Sequence, residues 1–541
     1  MGDQTLAANS SGRYTSTFDK LGRKTVAANP HSKTVAYTLD AVGDRSSMVD
    51  PDGGRFTYTH NEDSQLTALI NPFGQRTSFT LDAVGQTTLK QLANGSRAST
   101  THDAAGQVAA LSNLKSDSSV ISSFEYKHDK AGNRSSVTEA DGSRVTWSYD
   151  AASQLTREHR TGTAARDTTL TYDAGANMTA KEVDGVATTL AYDNANQLTT
   201  VTDTGGPSTY TFDANGNQEI VAEPNGDRTT NTWDYENRLT AIRLPTGSRT
   251  TSVYKPDGLR VEVAANTTQR FVWDELNYLL ETDDANSTTA LWTVTPLGYG
   301  SVLSQRRSGA DAYVHFDALA NTRQLTLASE AVSDTRIDSA FGETIDSSGS
   351  TVIPFWFGGE LGYYTNTETG DLYVRARTYM PTMARWLSQD PLMDVGFGYF
   401  LLQQPSEHPY VYAGNNPINL IDPSGLECTP WKWDFAGNFP RKYDEIVRVR
   451  GKVYTMEKGS FYSPWIAKRK CRVTIVLYDA STIHCAVDWA LEFSYWRTET
   501  WRLALACPYD PSHHDLQPKS CLPPGGYTPN KGDWDDFKRH N

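Results

Sequence analysis

Residues 1–426 contain no cysteine; all five, Cys428, Cys471, Cys485, Cys507 and Cys521, follow Leu426. A disulfide framework is therefore excluded from most of the chain, and an odd total leaves at least one thiol free or paired elsewhere. Long apolar runs are also missing, since none approaches the ~18–20 residues a membrane-spanning helix needs. The opening residues MGDQTLAANSSGRYTST have neither the basic nor the apolar region of a signal peptide. Hydrophobic residues make up only 38% of 541, too lean and too long for one ordinary core, so several domains or a repeat array with a domain attached is expected.

Positive charge is scarce in the same region that lacks cysteine. Residues 1–426 carry 33 Lys/Arg against 50 Asp/Glu, whereas 427–541 carry 17 against 14, so a −17 segment precedes a +3 segment. Two independent properties thus change at Leu426. The acidic part would attract the weakly basic one.

What is present is repetition. A bulky residue followed by Asp recurs at Phe18-Asp19, Leu39-Asp40, Leu81-Asp82, His102-Asp103, His128-Asp129, Tyr149-Asp150, Tyr172-Asp173, Tyr192-Asp193, Phe212-Asp213, Trp233-Asp234 and Trp273-Asp274, with Asn61 and Lys255 filling two degenerate steps. The spacing, mostly 20 to 23 residues, is that of two strands and two turns. Between the aspartates, alternating Thr, Val, Tyr and Ser, as in Arg144–Tyr149 (RVTWSY), reads as half-buried strand. Asp52-Gly53, Asn94-Gly95, Asp141-Gly142 and Asn225-Gly226 mark hairpin turns. The repeat aspartates, often with glycine three residues on (Gly22, Gly43, Gly132, Gly216), would cap the alternate turns through their side chains. They could instead be calcium ligands, but one per unit is simpler as a turn cap. The pattern predicts a mainly β fold, a meandering antiparallel ribbon with little helix before residue 370. Its units must stack, because a two-stranded ribbon cannot bury its apolar face alone.

The repeats lead into Arg377–Leu426, framed by Asp390-Pro391 and Asp422-Pro423. Proline disfavours the helical region for the residue before it, so each aspartate is held extended. Two carboxyl groups brought close can divide one proton between them, giving one base and one acid.

The runs LYVRARTYMPTMARWLSQDP (Leu372–Pro391) and YVYAGNNPINLIDPSGL (Tyr410–Leu426), with FDALANTRQLT (Phe316–Thr326) and PFWFGGELGYYTNTETG (Pro354–Gly370), resemble the core of the Rhs/YD-repeat family. That family includes Rhs polymorphic toxins, the C components of Tc toxins and, more distantly, teneurins. The resemblance implies a β-ribbon coiled into a full or partial hollow shell that encloses the C-terminal segment. It divides the chain into repeats (1–315), an associated core with an autoprotease or plug (316–426) and a variable C-terminal effector (427–541). It implies intramolecular cleavage between Leu426 and Glu427 by Asp390 and Asp422, with Arg377 holding one carboxylate ionised or polarising the scissile carbonyl. Gly425 would let the backbone approach closely and Leu426 would fill a pocket. Met380 and Ala384 depart from the family pattern, Ala384 standing where glycine is usual. The longer stretch Gly396–His408 could move Asp390 relative to Asp422 and so bear on the rate of cleavage. Alternatively, the DPSGL segment only seals the shell, both aspartates acting as turn caps.

The tail, 427–541, reads as a compact α+β domain, with a strand at Arg472–Tyr478 and helix around Cys485–Ala506; seven of the thirteen tryptophans fall in it. Cys507, His513, His514 and Cys521 have types suited to zinc without a finger spacing. His484, Cys485 and Asp488 could form a nucleophile set, though a buried Cys and a packing His on one helix is the plainer reading. Lys468, Arg469, Lys470 and Arg472 could meet phosphate. No cofactor or resident metal is expected. Expected partners are the chain's own C-terminal domain as cargo, a further N-terminal shell or secretion component, and an immunity protein, with nucleic acid reserved for the released domain. The expected setting is a secreted or delivered bacterial effector. The competing readings are a non-toxic adhesion scaffold and a Tc-type C component completed by a partner. Because Tyr14–Arg23 already reads as repeat, a piece of a larger protein is expected.

Overall fold

The computed structural model describes residues 5–391 and 408–426, and the backbone of strands at 429–430, 444–449, 452–457, 470–479, 482–492 and 500–506. The chain divides into two compact units, Met1–Gly396 with Gln404–Asn438, and Phe397–Gln403 with Phe439–Asn541.

The first unit is dominated by one 33-stranded antiparallel sheet, from Leu6–Asn9 to Thr344–Ser348. It is a simple meander, each strand pairing with the one before and the one after. Among the described residues the first strand pairs only with the second and the last only with its predecessor, so the sheet stays open. The strands form because their side chains alternate: in Arg144–Tyr149, Val145 and Trp147 are buried while Arg144 and Ser148 face out, and Arg55–His60 repeats this with Phe56 and Tyr58.

Most repeat turns are built alike. Asp150 donates its amide to the Gln154 carbonyl and accepts the amide of Ser153 on its own carbonyl, while its Oδ1 accepts the amides of Ala152 (2.9 Å) and Gln154 (2.8 Å). Asp19, Asp82, Asp129, Asp193 and Asp234 cap in the same way. The Arg23 amide, foremost, holds the Asp19 carboxyl below its usual range. The fourth turn residue takes positive φ, which explains the glycines at 22, 43, 132 and 216. The turns at the other sheet edge, including Asp52-Gly53 and Asn94-Gly95, use the same backbone bonds. Most of the repeat aspartates are thus caps, as the sequence suggests, with Oδ1 taken by backbone amides; Asp274 departs from this, its carboxylate accepting the Tyr37 hydroxyl (2.9 Å) and pairing with Arg45 instead.

Immediately before each cap, at the bulky residue, the register slips by one, for example between Ser148 and Tyr149, Thr171 and Tyr172, and Ala191 and Tyr192. A bulge bends and twists its strand, and the same bulge recurring along one edge gives the sheet a consistent curl. The aromatic ring then ties neighbouring units. Tyr149, Tyr172, Tyr192 and Tyr254 each donate the hydroxyl to a carbonyl just past the preceding cap, at Arg134, Leu155, Met178 and Leu239. Trp233 does so with its indole N–H to Gln218.

Curling brings the ribbon back alongside itself. Asn9 meets Tyr254, Tyr37 meets Asp274, Asn71 meets Thr293, Asn94 meets Thr326 and Arg166 meets Glu343. The partners advance together along the chain, which is the signature of a coil. Glu139 binds Arg160 of its own turn at 2.6 Å and Arg323 of the next at 3.0 Å. Apolar layers follow the same path, Met48 and Phe56 packing with Leu280, Leu291 and Leu303.

The sheet passes the expected 315/316 boundary without a break and ends at Ser348. A smaller four-stranded sheet follows, Tyr364–Thr365, Leu372–Val374, Arg377–Met380 and Arg385–Trp386. Its Tyr379 and Trp386, with the neighbouring Tyr363 and Tyr412, pack with Phe124, Trp147, Leu170 and Leu198 of the coil, so this module lies on the large sheet's buried face.

In the second unit, Asp444–Val449 pairs with Lys452–Glu457, and Lys470–Asp479, Thr482–Glu492 and Thr500–Ala506 form an antiparallel meander. The strand expected at Arg472–Tyr478 is present. The helix expected at Cys485–Ala506 is replaced by two strands. The period-two order of Ile483, Cys485, Val487, Trp489 and Leu491 against His484, Ala486, Asp488, Ala490 and Glu492 explains this, although the same residues also fit an amphipathic helix. His484, Cys485 and Asp488 therefore lie along a strand. Cys507, His513, His514, Cys521, Lys468 and Arg469 lie outside the described residues.

A cap needs one acceptor oxygen, not a charge, and Asn29, Asn61 and Asn71 already serve in this role. Asp150→Ala is expected to cost about 1 kcal/mol while Asp150→Asn costs a few tenths. Guanidinium denaturation checks this; equal losses for both variants would restore the metal reading.

Candidate functional site

The site is assembled from three stretches of the first unit. Arg377 opens the third strand of the small sheet, Asp390 ends the ARWLSQD run, and Asp422 follows the short strand Leu420–Ile421. Arg377 Nη2 lies 3.0 Å from Asp390 Oδ2 and 3.2 Å from Asp422 Oδ2, so one nitrogen serves both carboxylates. The added length between residues 396 and 408 leaves the two aspartates together.

Burial is deep: Arg377 and Asp422 side chains are 3% and 1% exposed, Asp390 17%. Arg377 stacks on Trp386, 4.2 Å from the ring centroid. Its Nε donates to the Gly425 carbonyl and its Nη1 to the Pro409 carbonyl (3.3 Å), which also accepts the Asp390 amide (3.1 Å). A buried guanidinium needs this many acceptors, since a lone charge in such a place is costly.

The end of the segment is clasped by Asp422. Its Oδ1 accepts the amide of Leu426 (2.9 Å) and the hydroxyl of Ser424 (3.2 Å), and Ser424 Oγ also accepts the Leu426 amide (3.0 Å). Gly425 has φ +76°, and a Cβ there would lie 2.5 Å from the Val374 carbonyl oxygen and 3.1 Å from the Arg377 nitrogen. The close approach expected of this glycine is therefore to the backbone of the Val374–Arg377 hairpin. Leu426 is half-buried, Pro423 buried and Pro391 exposed; Glu427 lies outside the described residues, as do 392–407. Ala384, in place of the family's glycine, takes φ +57°, a conformation glycine enters freely and alanine does not.

Three contributors escaped the sequence reading. Arg375 donates to the carbonyls of Leu276 (2.9 Å), Leu361 (2.8 Å) and Pro423 (2.6 Å), pinning the DPSGL segment to the coil. Tyr363 donates to the Asp422 carbonyl (2.6 Å). His408 accepts the Tyr410 amide on Nδ1 (3.1 Å), and its Nε2 lies 2.7 Å from Asn177 Oδ1, an arrangement that requires the neutral ring with the proton on Nε2. Each of the three has at least one partner 48 residues or more away in sequence, where no local pattern reports it.

The fold and this site define a class: an open antiparallel repeat sheet coiled on itself, with a module on its buried face that carries an arginine-bridged acid pair. Residues 97–279 match the Teneurin YD-shell family model. Among curated proteins, the chain is 27% identical over 325 residues to the tRNA3(Ser)-specific nuclease WapA of Bacillus spizizenii, covering 59% of this chain and 11% of that one. It is 42% identical over 65 residues to the toxin protein Tse5 of Pseudomonas aeruginosa, covering 12% and 4%. Among solved structures, a TcdB2-TccC3-TEV crystal structure aligns at TM-score 0.63 and 17% identity, over 78% of this chain and 24% of that one. A Photorhabdus luminescens Tc holotoxin pore aligns at 0.59 and 18%, over 77% and 23%. The chain is similar to the Rhs/YD-repeat family and has the fold of a YD-repeat shell like those of toxin-related proteins; it spans about a tenth of the length of the Bacillus relative.

Burial and then the nearby Arg385 charge push His408 down to about 3. Between its ordinary value of 6.5 and 3, the unfolded chain binds a proton at 408 that the folded chain does not, so this residue costs stability as pH falls. Denaturation midpoints are expected to drop from pH 7 to pH 4.5, with a smaller drop in His408→Gln; identical pH slopes would contradict the assignment.

Proposed function

We propose that this chain is the shell of a delivered bacterial effector, and that it cuts itself between Leu426 and Glu427 with Asp390 and Asp422 as the acid–base pair. The observation that carries the reading is Arg377 bridging both carboxylates while Asp422 holds the Leu426 amide, one residue from the bond to be cut. One carboxylate takes a proton from water as its oxygen bonds to the Leu426 carbonyl carbon. The other gives a proton to the Glu427 nitrogen as the carbon–nitrogen bond breaks, and the pair titrates as a unit. Arg377 offsets the negative charge of the ionised member and fixes the preceding peptide through Gly425. The substrate is tethered, so orientation replaces the entropic cost of bringing it in, and a single turnover is enough.

On this reading residues 427–541 are the cargo, held without a covalent link after the cut, with an immunity protein in the producing cell. The relatives named as nucleases and a toxin support an effector role. Nucleic acid is the target class that the WapA nucleases suggest for the released domain.

Purified protein is expected to run as two bands on a denaturing gel, with a fragment mass ending at Leu426. Asp390→Asn and Asp422→Asn should each slow its appearance by about 10²–10⁴-fold. A single intact band from the unaltered chain would leave the segment as a plug that only seals the shell. Expression of 427–541 alone is expected to arrest growth; healthy cells producing it would favour an adhesion scaffold.

A further inference from the structure

The carbonyl of Pro409 is where Asp390 and Arg377 meet, the first through its amide and the second through Nη1. The small sheet holds the segment on one side, the Trp386 amide donating to the Tyr410 carbonyl (2.9 Å). The residues on either side of Pro409 are fastened to three successive repeat turns of the coil. His408 Nε2 reaches Asn177 Oδ1, which closes the Asp173 turn. Tyr410 donates its hydroxyl to the Gly216 carbonyl of the Asp213 turn (2.8 Å). Arg385, bridged to Val411, donates to the Asn196 carbonyl (2.7 Å) of the turn between them and to the same Asn177 oxygen (3.2 Å). Asn177 is itself oriented by donating Nδ2 to Asp173 Oδ2 and Asn196 Oδ1. His408 and Asn177 are both almost fully buried, at 7% and 3% exposure, so the link is shielded from water.

We propose that His408 is a positioning residue for the self-cleaving pair: by fastening Pro409 to Asn177 it makes the placement of Asp390 and Arg377 depend on the coiled repeat wall, so that cutting follows wall formation. The inference rests on the cleavage reading above and adds to it the condition under which the centre is assembled. The consequence is order in time. A chain whose strands around 166–218 have not formed holds Asp390 loosely, and its effector stays attached until the wall that receives it exists.

The side-chain chemistry separates this role from simple packing. Glutamine at 408 keeps a donor at about the reach of His Nε2, whereas asparagine keeps an acceptor near the Nδ1 position but cannot reach Asn177. Cleavage is to be followed by gel from the start of refolding, in full-length His408→Gln, His408→Asn, His408→Ala, Asn177→Ala, Tyr410→Phe and the His408→Ala/Asn177→Ala pair, with melting temperature measured on each. His408→Asn and His408→Ala are expected to cut about tenfold or more slowly, His408→Gln within about threefold of the unaltered chain, and the double variant no more slowly than the slower single. Tyr410→Phe, which keeps the ring and loses the tie to Gly216, is expected to slow cutting several-fold without a matching loss of melting temperature. Unaltered rates in all the variants, or rates that follow melting temperature with no rescue by glutamine, would overturn the positioning role while leaving cleavage intact. An unaltered chain that never cuts overturns the cleavage reading and this inference with it.

Discussion

The structure depends on one small interaction repeated many times: an Asp or Asn side chain accepting two amides of its own turn. A long antiparallel meander has no topological reason to curl, and an open flat sheet of this size would expose an apolar face. Where it occurs the cap closes its hairpin in the same way, with a left-handed residue at the fourth position. The one-residue bulge just before it adds the same bend each time, and Tyr or Trp passes that geometry to the next unit by bonding behind the preceding cap. Curvature is therefore summed from identical local parts. Charge matters little to it, which is why asparagine serves at positions 29, 61 and 71.

Once coiled, the wall acts as a mould. Its buried face presents carbonyls and turn side chains, and the module from Tyr364 onward is held against them by polar side chains as much as by apolar packing. Arg375 and Arg377, two residues apart, divide the labour. Arg375 spends its donors on carbonyls of Leu276, Leu361 and Pro423, while Arg377 bridges the two acids. The first fixes the segment that carries Asp422 and the second fixes Asp422 against Asp390. Removing either leaves a buried charge or carbonyl without its partner, so the site is stable only as a whole.

Much was legible in the residues. Strand alternation, caps and positive-φ glycines depend on residues within five positions of one another, and each was visible at Tyr149–Gln154 or Phe212–Gly216. The acid pair and its arginine were also named, and the structure brings Arg377, Asp390 and Asp422 together. The stretch Cys485–Ala506 was read at the wrong period, because Ala, Trp and Leu satisfy a helical pattern nearly as well as the alternating one. Arg375, Tyr363 and His408 were passed over, since what gives each its part is a backbone carbonyl or side chain far along the chain.

The sequence by itself determined the ribbon: which residues turn, which strands pair and which face is apolar, because those choices are settled among neighbours by sterics and single hydrogen bonds. Only the tertiary structure decided that the ribbon returns alongside itself, that Asn177 meets His408 across 231 residues, and that two aspartates 32 positions apart share one guanidinium nitrogen. Such contacts depend on the accumulated curl of many units, and a sum of small bends is fixed by the whole coil, not by any one repeat.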